Sequence, residues 1–127
     1  MTATSSLEFI PTVIPRPFSA MVRVGDTIYL SGQLGTDASG TLVAGFGAQS
    51  RQLMDNIAES LVAIGLDMTA IVKATIMLDD MARWEEFNAV YLTYFASDRL
   101  PARSAFGTSG LALGAHMEVE CIAFAPQ

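Results

Sequence analysis

The clearest periodic stretch of the chain is residues 48–64. Leu53, Ile57, Leu61 and Ile64 recur at helical spacing, while Gln52, Asp55, Asn56 and Glu59 fall mostly on other faces. The pattern predicts an amphipathic helix that stops at Gly65, a residue free to take the left-handed backbone that helix ends favour. Upstream the period is two. Phe18 to Val24 alternates as a strand, Gly25-Asp26 signals a tight turn, and Thr27-Ile28-Tyr29-Leu30-Ser31 is β-branched and aromatic, so the two runs read as a hairpin. Gly32 and Gly35 break its second strand and allow close backbone approach. Residues 1–12 read as a loose polar start, and Val13 to Pro17 as extended chain, because proline disfavours helix.

Downstream, Ile71 to Leu78 predicts a strand, apolar apart from Lys73, Ala74 and Thr75. Asp79-Asp80 suit the positive end of a second helix, predicted from about Met81 to Phe95, with Trp84, Phe87, Tyr91 and Phe95 on one core-facing stripe. Arg103 to Thr108 reads as a short strand, Ser109 to Gly114 as a turn, and Ala115 to Phe124 as the last strand. On that strand Glu118 and Glu120 share a face with His116, Ile122 and Phe124, and Met117, Val119, Cys121 and Ala123 form the other.

The order β-β-α-β-α-β-β over residues 1–127 predicts a single α/β domain. It would be an α+β sandwich with both helices on one face of a mixed sheet. Ile71-Val72 and Ile76-Met77-Leu78 are apolar on both parities, as in a strand buried on both faces. No remaining segment can cover the second face, so a second copy of the chain is expected there.

Composition agrees. The 127 residues are 51% hydrophobic and 16% charged, an apolar excess that suits surface shared between copies. The net charge is -6, and the seven basic residues form no cluster, which argues against binding nucleic acid or an anionic membrane. No segment is long and apolar enough to span a bilayer. Met1 to Ser6 carries no basic charge and no long apolar run follows it, so no signal peptide is visible. The lone Cys121 cannot form an internal disulfide, and a reducing, cytoplasmic setting fits. One His and one Cys without ligand spacing give no expectation of a metal site. His116 is expected at a rim, and Cys121 in packing.

One charge is out of place. In Pro101-Ala102-Arg103-Ser104-Ala105-Phe106 an arginine sits among small and apolar residues, with no acidic residue within three positions. Arginine does not shed its proton, so burial would demand an anion or several acceptors from elsewhere. Its planar fork matches a carboxylate in two parallel hydrogen bonds. Two readings stand: a clamp for a small carboxylate substrate, or a surface arginine after a loop proline.

Over nearly its whole length the chain resembles the RidA/YjgF family of enamine/imine deaminases. The matching segments are Phe18-Ser19-Ala20, Val24 to Gln33, Gln49 to Asn56, Asn88 to Tyr91, Pro101 to Ser104 and Met117 to Ala123. The resemblance implies a chorismate-mutase-like fold and a homotrimer with sites between subunits. It assigns carboxylate binding to Arg103 and water activation to Glu118, and it places Ser31, Gly32 and Asn88 along or behind the pocket. The implied reaction is hydrolysis of 2-aminoacrylate-type imines to 2-keto acids and ammonia, with no cofactor. The chain also departs from the family pattern. Phe18 stands where a Tyr is common, Ala105 where Cys, Thr or Val is, Phe106-Gly107 where Val-Glu is, and Ala112 where Pro is. Phe18, Ala105 and Phe106 are thus the positions that would tune the substrate, toward a larger acid such as 2-aminomuconate. The alternatives are an endoribonuclease or translation inhibitor, a label attached to this family, and a non-catalytic trimeric metabolite-binding regulator or chaperone. For Glu118 the plain alternative is a carboxylate that satisfies backbone donors, and for Asn88 a purely structural side chain.

Overall fold

The helical stripe and the apolar strands of the sequence meet in a two-layer domain, described in the computed structural model for residues 7–127. The strands are β1 (Leu7–Ile10), β2 (Met21–Val24), β3 (Thr27–Gln33), β4 (Ile71–Leu78), β5 (Ala102–Gly107) and β6 (Met117–Phe124). The helices are α1 (Phe46–Val62), between β3 and β4, and α2 (Trp84–Tyr91), between β4 and β5. One six-stranded sheet runs β1-β2-β3-β6-β4-β5, antiparallel throughout except for the parallel pair β4–β5. That pair needs a crossover, which α2 supplies.

Both helices pack on one face. Leu53, Ile57 and Leu61 of α1 and Phe87 of α2 are buried with Ile28, Leu30, Ala74, Ile76, Val119 and Cys121 of the sheet. α1 ends as predicted. Gly65 is left-handed (φ 81°), its N–H reaches the Val62 carbonyl at 2.9 Å, and the Leu66 N–H reaches that of Leu61 at 2.9 Å. These bonds satisfy carbonyls that the helix end would otherwise leave open.

The structure corrects several boundaries. Within the expected loose start, Leu7–Ile10 is an edge strand on β2, and residues 1–6 lie outside the described part. Phe18 does not begin a strand. Pro15 and Pro17 have no N–H for a ladder, and β2 starts only at Met21. α1 starts at Phe46, two residues early, because Gly45 (φ 91°) turns the chain and buries that ring. The second helix is not continuous over 81–95. Asp80 accepts the Ala82 N–H at 3.0 Å and closes a tight turn before α2, and the Thr93 hydroxyl bonds the Val90 carbonyl at 2.6 Å as α2 gives way to a second tight turn. β6 begins at Met117, so His116 is not on the Glu118 face of the strand. Its N–H goes to Gln49 Oε1 at 2.8 Å instead of a ladder partner.

Candidate functional site

Register decides which side chains can meet. Arg103 and Ala105 pair with Ala74 and Ile76 of β4, which point under the helices. Glu118 pairs with Met77, and Met77 with Phe106, in a row on the other face. Within one chain, Arg103 and Glu118 therefore sit on opposite sides of the sheet, each with its own neighbours.

On the helix side, Arg103 rises from edge strand β5 against α2. Its Nη1 donates to Asn88 Oδ1 at 2.8 Å. Its guanidinium carbon lies 4.9 Å from the Tyr91 ring centre and 5.4 Å from that of Trp84. No carboxylate among the described residues pairs with it. Asn88 Nδ2 reaches Glu85 Oε1 at 3.5 Å, which sets the amide so that its oxygen faces the arginine. The Tyr91 hydroxyl is buried with no hydrogen-bond partner among the described residues. Burial pushes its phenol up to about 12, against the opposing pull of Arg103. Trp84, expected in the core, is 40% exposed. It opens α2 beside the sheet edge, where the stripe has run past the core. Sequence reasoning missed Trp84 and Tyr91 as neighbours of Arg103. The signal was present: residues 84, 88 and 91 share one helical face.

On the other side, Glu118 lies against Gly32. A methyl group at Gly32 would stand 2.0 Å from Glu118 Oε2, so only glycine admits this approach. Gly32 belongs to a bulge. Leu30 pairs with Cys121 and Gln33 with Val119, so Ser31-Gly32 is one residue too many for the ladder. The Ser31 hydroxyl donates to the Ser19 carbonyl at 2.6 Å, and its N–H to the Ala20 carbonyl at 3.0 Å. These bonds tie the Phe18 segment to the bulge, with Phe18 itself 52% exposed. Partial burial raises the Glu118 carboxyl above its ordinary value, and the negative charge of Glu120 adds to the rise. Glu118 has no hydrogen-bond partner among the described residues, so it is not spent on backbone donors.

This face is open. Tyr29, Val24, Val72, Phe106 and Phe124 are all exposed, and Tyr29, Lys73, Thr75, Glu120 and Ile122 help line a depression of about 230 Å³. The other candidates are quieter. Cys121 is buried and its thiol is pushed up to about 12, as packing requires. His116 Nδ1 pairs with Asp79 at 2.8 Å on the rim. Among the described residues, no cluster of three or more His, Cys, Asp or Glu is placed to hold a metal ion, and no helix is long and apolar enough to cross a membrane.

An arginine without a carboxylate partner among the described residues at one sheet edge, and a partly buried glutamate over a glycine bulge, sit on an α+β sandwich with one mixed sheet. The family model described as Endoribonuclease L-PSP matches residues 12–125. The chain is 46% identical over 109 residues to a 2-iminobutanoate/2-iminopropanoate deaminase of Bos taurus, covering 84% of this chain and 79% of that one. It is 41% identical over 109 residues to the protein of the same name of Homo sapiens, with the same coverage. The crystal structure of RidA from an Antarctic Psychrobacter superposes with a TM-score of 0.83 at 31% identity, covering 97% of this chain and 99% of that one. The chain belongs to the RidA/YjgF family, whose sequence model bears the Endoribonuclease L-PSP description.

Proposed function

We propose that this protein hydrolyses reactive enamine and imine acids of the 2-aminoacrylate type to 2-keto acids and ammonia. It is an enzyme acting on C–N bonds, as the names of its relatives support. The observation that carries the reading is Arg103: a cation held in place by neutral groups, with no carboxylate partner among the described residues.

Arg103 grips the substrate carboxylate through its fork. The enamine tautomerises to the imine, whose C=N carbon is already electrophilic. A water held by Glu118 adds to that carbon, and its proton passes through the carboxylate to nitrogen. The resulting aminoalcohol expels ammonia and leaves the 2-keto acid. Orientation and one proton relay suffice, so no cofactor, metal or covalent nucleophile is needed. Arg103 and Glu118 lie on opposite faces of one sheet, so a site that uses both joins the Arg103 side of one protomer to the Glu118 side of its neighbour. A cyclic homotrimer closes such contacts and covers the open faces. Ser31 and Gly32 shape the Glu118 side and Asn88 supports the arginine. Phe18, Ala105 and Phe106 flank the substrate and set how large an acid fits. The protein acts in the cytoplasm, free of membranes. An endoribonuclease reading lacks a basic groove, and the open face carries Glu118 and Glu120, which repel phosphate.

The test is release of ammonia and keto acid from a panel of amino-acid-derived imines generated in situ. Arg103→Ala should cost roughly two or more orders of magnitude in kcat/KM with fold and oligomer intact, since charge-assisted bonds contribute about 1.5–3 kcal/mol each. Arg103→Lys should fail nearly as badly, because lysine has the charge without the fork. Near-normal activity of both variants would remove the arginine from the site.

A further inference from the structure

The neighbours of Arg103 are unusual in having no net charge. A half-buried guanidinium on a sheet edge would ordinarily recruit an acidic side chain. An acid is close at hand, because Glu85 lies one turn from the contact on the same helix. Yet it is the Asn88 amide that meets the guanidinium at 2.8 Å, with Glu85 behind it at 3.5 Å from Nδ2. The amide accepts from the arginine with one end and donates to the glutamate with the other. It stands between two opposite charges. The remaining supports are the rings of Tyr91 and Trp84, at 4.9 and 5.4 Å. Aromatic faces attract a guanidinium and fix its plane without cancelling its charge.

We infer that Trp84, Asn88 and Tyr91 form a neutral cradle that positions Arg103, and that the neutrality of residue 88 keeps the arginine free to bind the carboxylate of a ligand. This deepens the clamp reading above and rests on it. The three are positioning residues, since they act through Arg103. The spacing 84, 88, 91 places all of them on the face of α2 that meets the Arg103 side chain. A carboxylate at 88 would keep the hydrogen bond to Arg103 and strengthen it, and the exposed Glu85 can turn away from it into solvent. A merely structural role would therefore tolerate or welcome Asn88→Asp, whereas a charge-sparing role would not.

Trp84 is the only tryptophan in the chain, so its emission reports on this cradle directly, whether or not the protein turns over any imine. The experiment titrates the intact protein with 2-oxobutanoate, a stable carboxylate probe, and follows Trp84 emission, with circular dichroism and oligomer size measured on the same samples. The wild type is expected to show a saturable change. Asn88→Asp is expected to fold and assemble as the wild type does and to bind the probe at least tenfold more weakly. Asn88→Ala, which loses the hydrogen bond but adds no charge, is expected to fall between the two. Unchanged affinity in Asn88→Asp would overturn the inference even if the deaminase assay succeeds. A saturable change lost only in the charged variant would uphold it even if that assay finds no turnover. No saturable change in the wild type would overturn it as well.

Discussion

On one face of the central strands, Ala74, Ile76, Val119 and Cys121 lie sealed under α1 and α2. On the other, Thr75, Met77, Glu118 and Glu120 meet no helix, and apolar Tyr29, Val72 and Phe124 stand half in solvent beside them. Both faces carry apolar side chains, but only the first is finished by the chain itself. The sealed face makes the fold. The open face holds the glycine bulge, the partly buried Glu118 and the apolar surface that a second copy would cover. Arg103 sits where the two regimes meet, on the helix side but at the sheet edge, which is why it is only half-buried.

Matched truncations test this division most sharply. Phe87 is 1% exposed and Tyr29 is 49% exposed. Phe87→Ala should destabilise the protein by about 3–5 kcal/mol in urea unfolding, the usual cost of emptying an aromatic core site. Tyr29→Ala should leave protomer stability within about 0.5 kcal/mol, as for surface changes. It should instead weaken the proposed trimer, seen as a lower mass than the wild type in sedimentation equilibrium at micromolar concentration. Equal loss of stability in both variants would erase the distinction between the faces.

A smaller effect is expected at Gly32. The atoms an added methyl would meet belong to the Glu118 side chain, which can swing away, so Gly32→Ala should fold and assemble normally. It should still lose roughly 10- to 100-fold in kcat/KM, because a displacement of about 1 Å in a reacting group is enough for that. Normal turnover in a folded variant would detach Glu118 from the chemistry.

The smallest effect concerns pH. In the proposed reaction Glu118 must be ionised to take a proton from water, and both partial burial and Glu120 raise its pKa. Activity should therefore rise with pH through a limb above the ordinary glutamate range. Glu120→Gln removes one cause of the rise, so the limb should move to lower pH while the plateau stays. A limb that moves upward, or not at all, would break the link between the two carboxylates. The pH profile of kcat/KM reads this directly.

How much of this was legible beforehand depends on range. β4 could be read to the residue, because Ile71 to Leu78 is apolar on both parities and bounded by two aspartates. The end of α1 could be read because Gly65 acts locally. β1 could not be, since four residues before Pro11 offer too little alternation to tell strand from loop. The stripe through Trp84, Phe87 and Tyr91 was visible, but period alone cannot say where the sheet stops, so Trp84 was assigned to a core it only borders. In the candidate site, the odd setting of Arg103 was plain in the sequence. Its bond to Asn88, fifteen positions away, leaves no periodic trace, and neither does the approach of Glu118 to Gly32. Those residues entered through the family resemblance and were placed by the fold.

The bulge in β3 carries a last consequence, for chain length. Leu30 and Gln33 are three residues apart, yet they pair with Cys121 and Val119, which are two apart. The strand thus changes phase once, at Ser31-Gly32, and everything beyond depends on that change. Deleting either residue would restore an even ladder with Gln33 still opposite Val119, but it would remove either the Ser31 bonds to the Ser19 and Ala20 carbonyls or the glycine that Glu118 lies against. The segment beyond is pinned from behind, because Asn56 Nδ2 holds the carbonyls of Leu34 and Thr36 at 3.0 and 2.9 Å. The turn at Asp37–Gly40, exposed and closed by its own hydrogen bonds, is where lengthening or shortening can be absorbed. Within a few residues the chain passes from a stretch whose residue count is fixed to one where it is free.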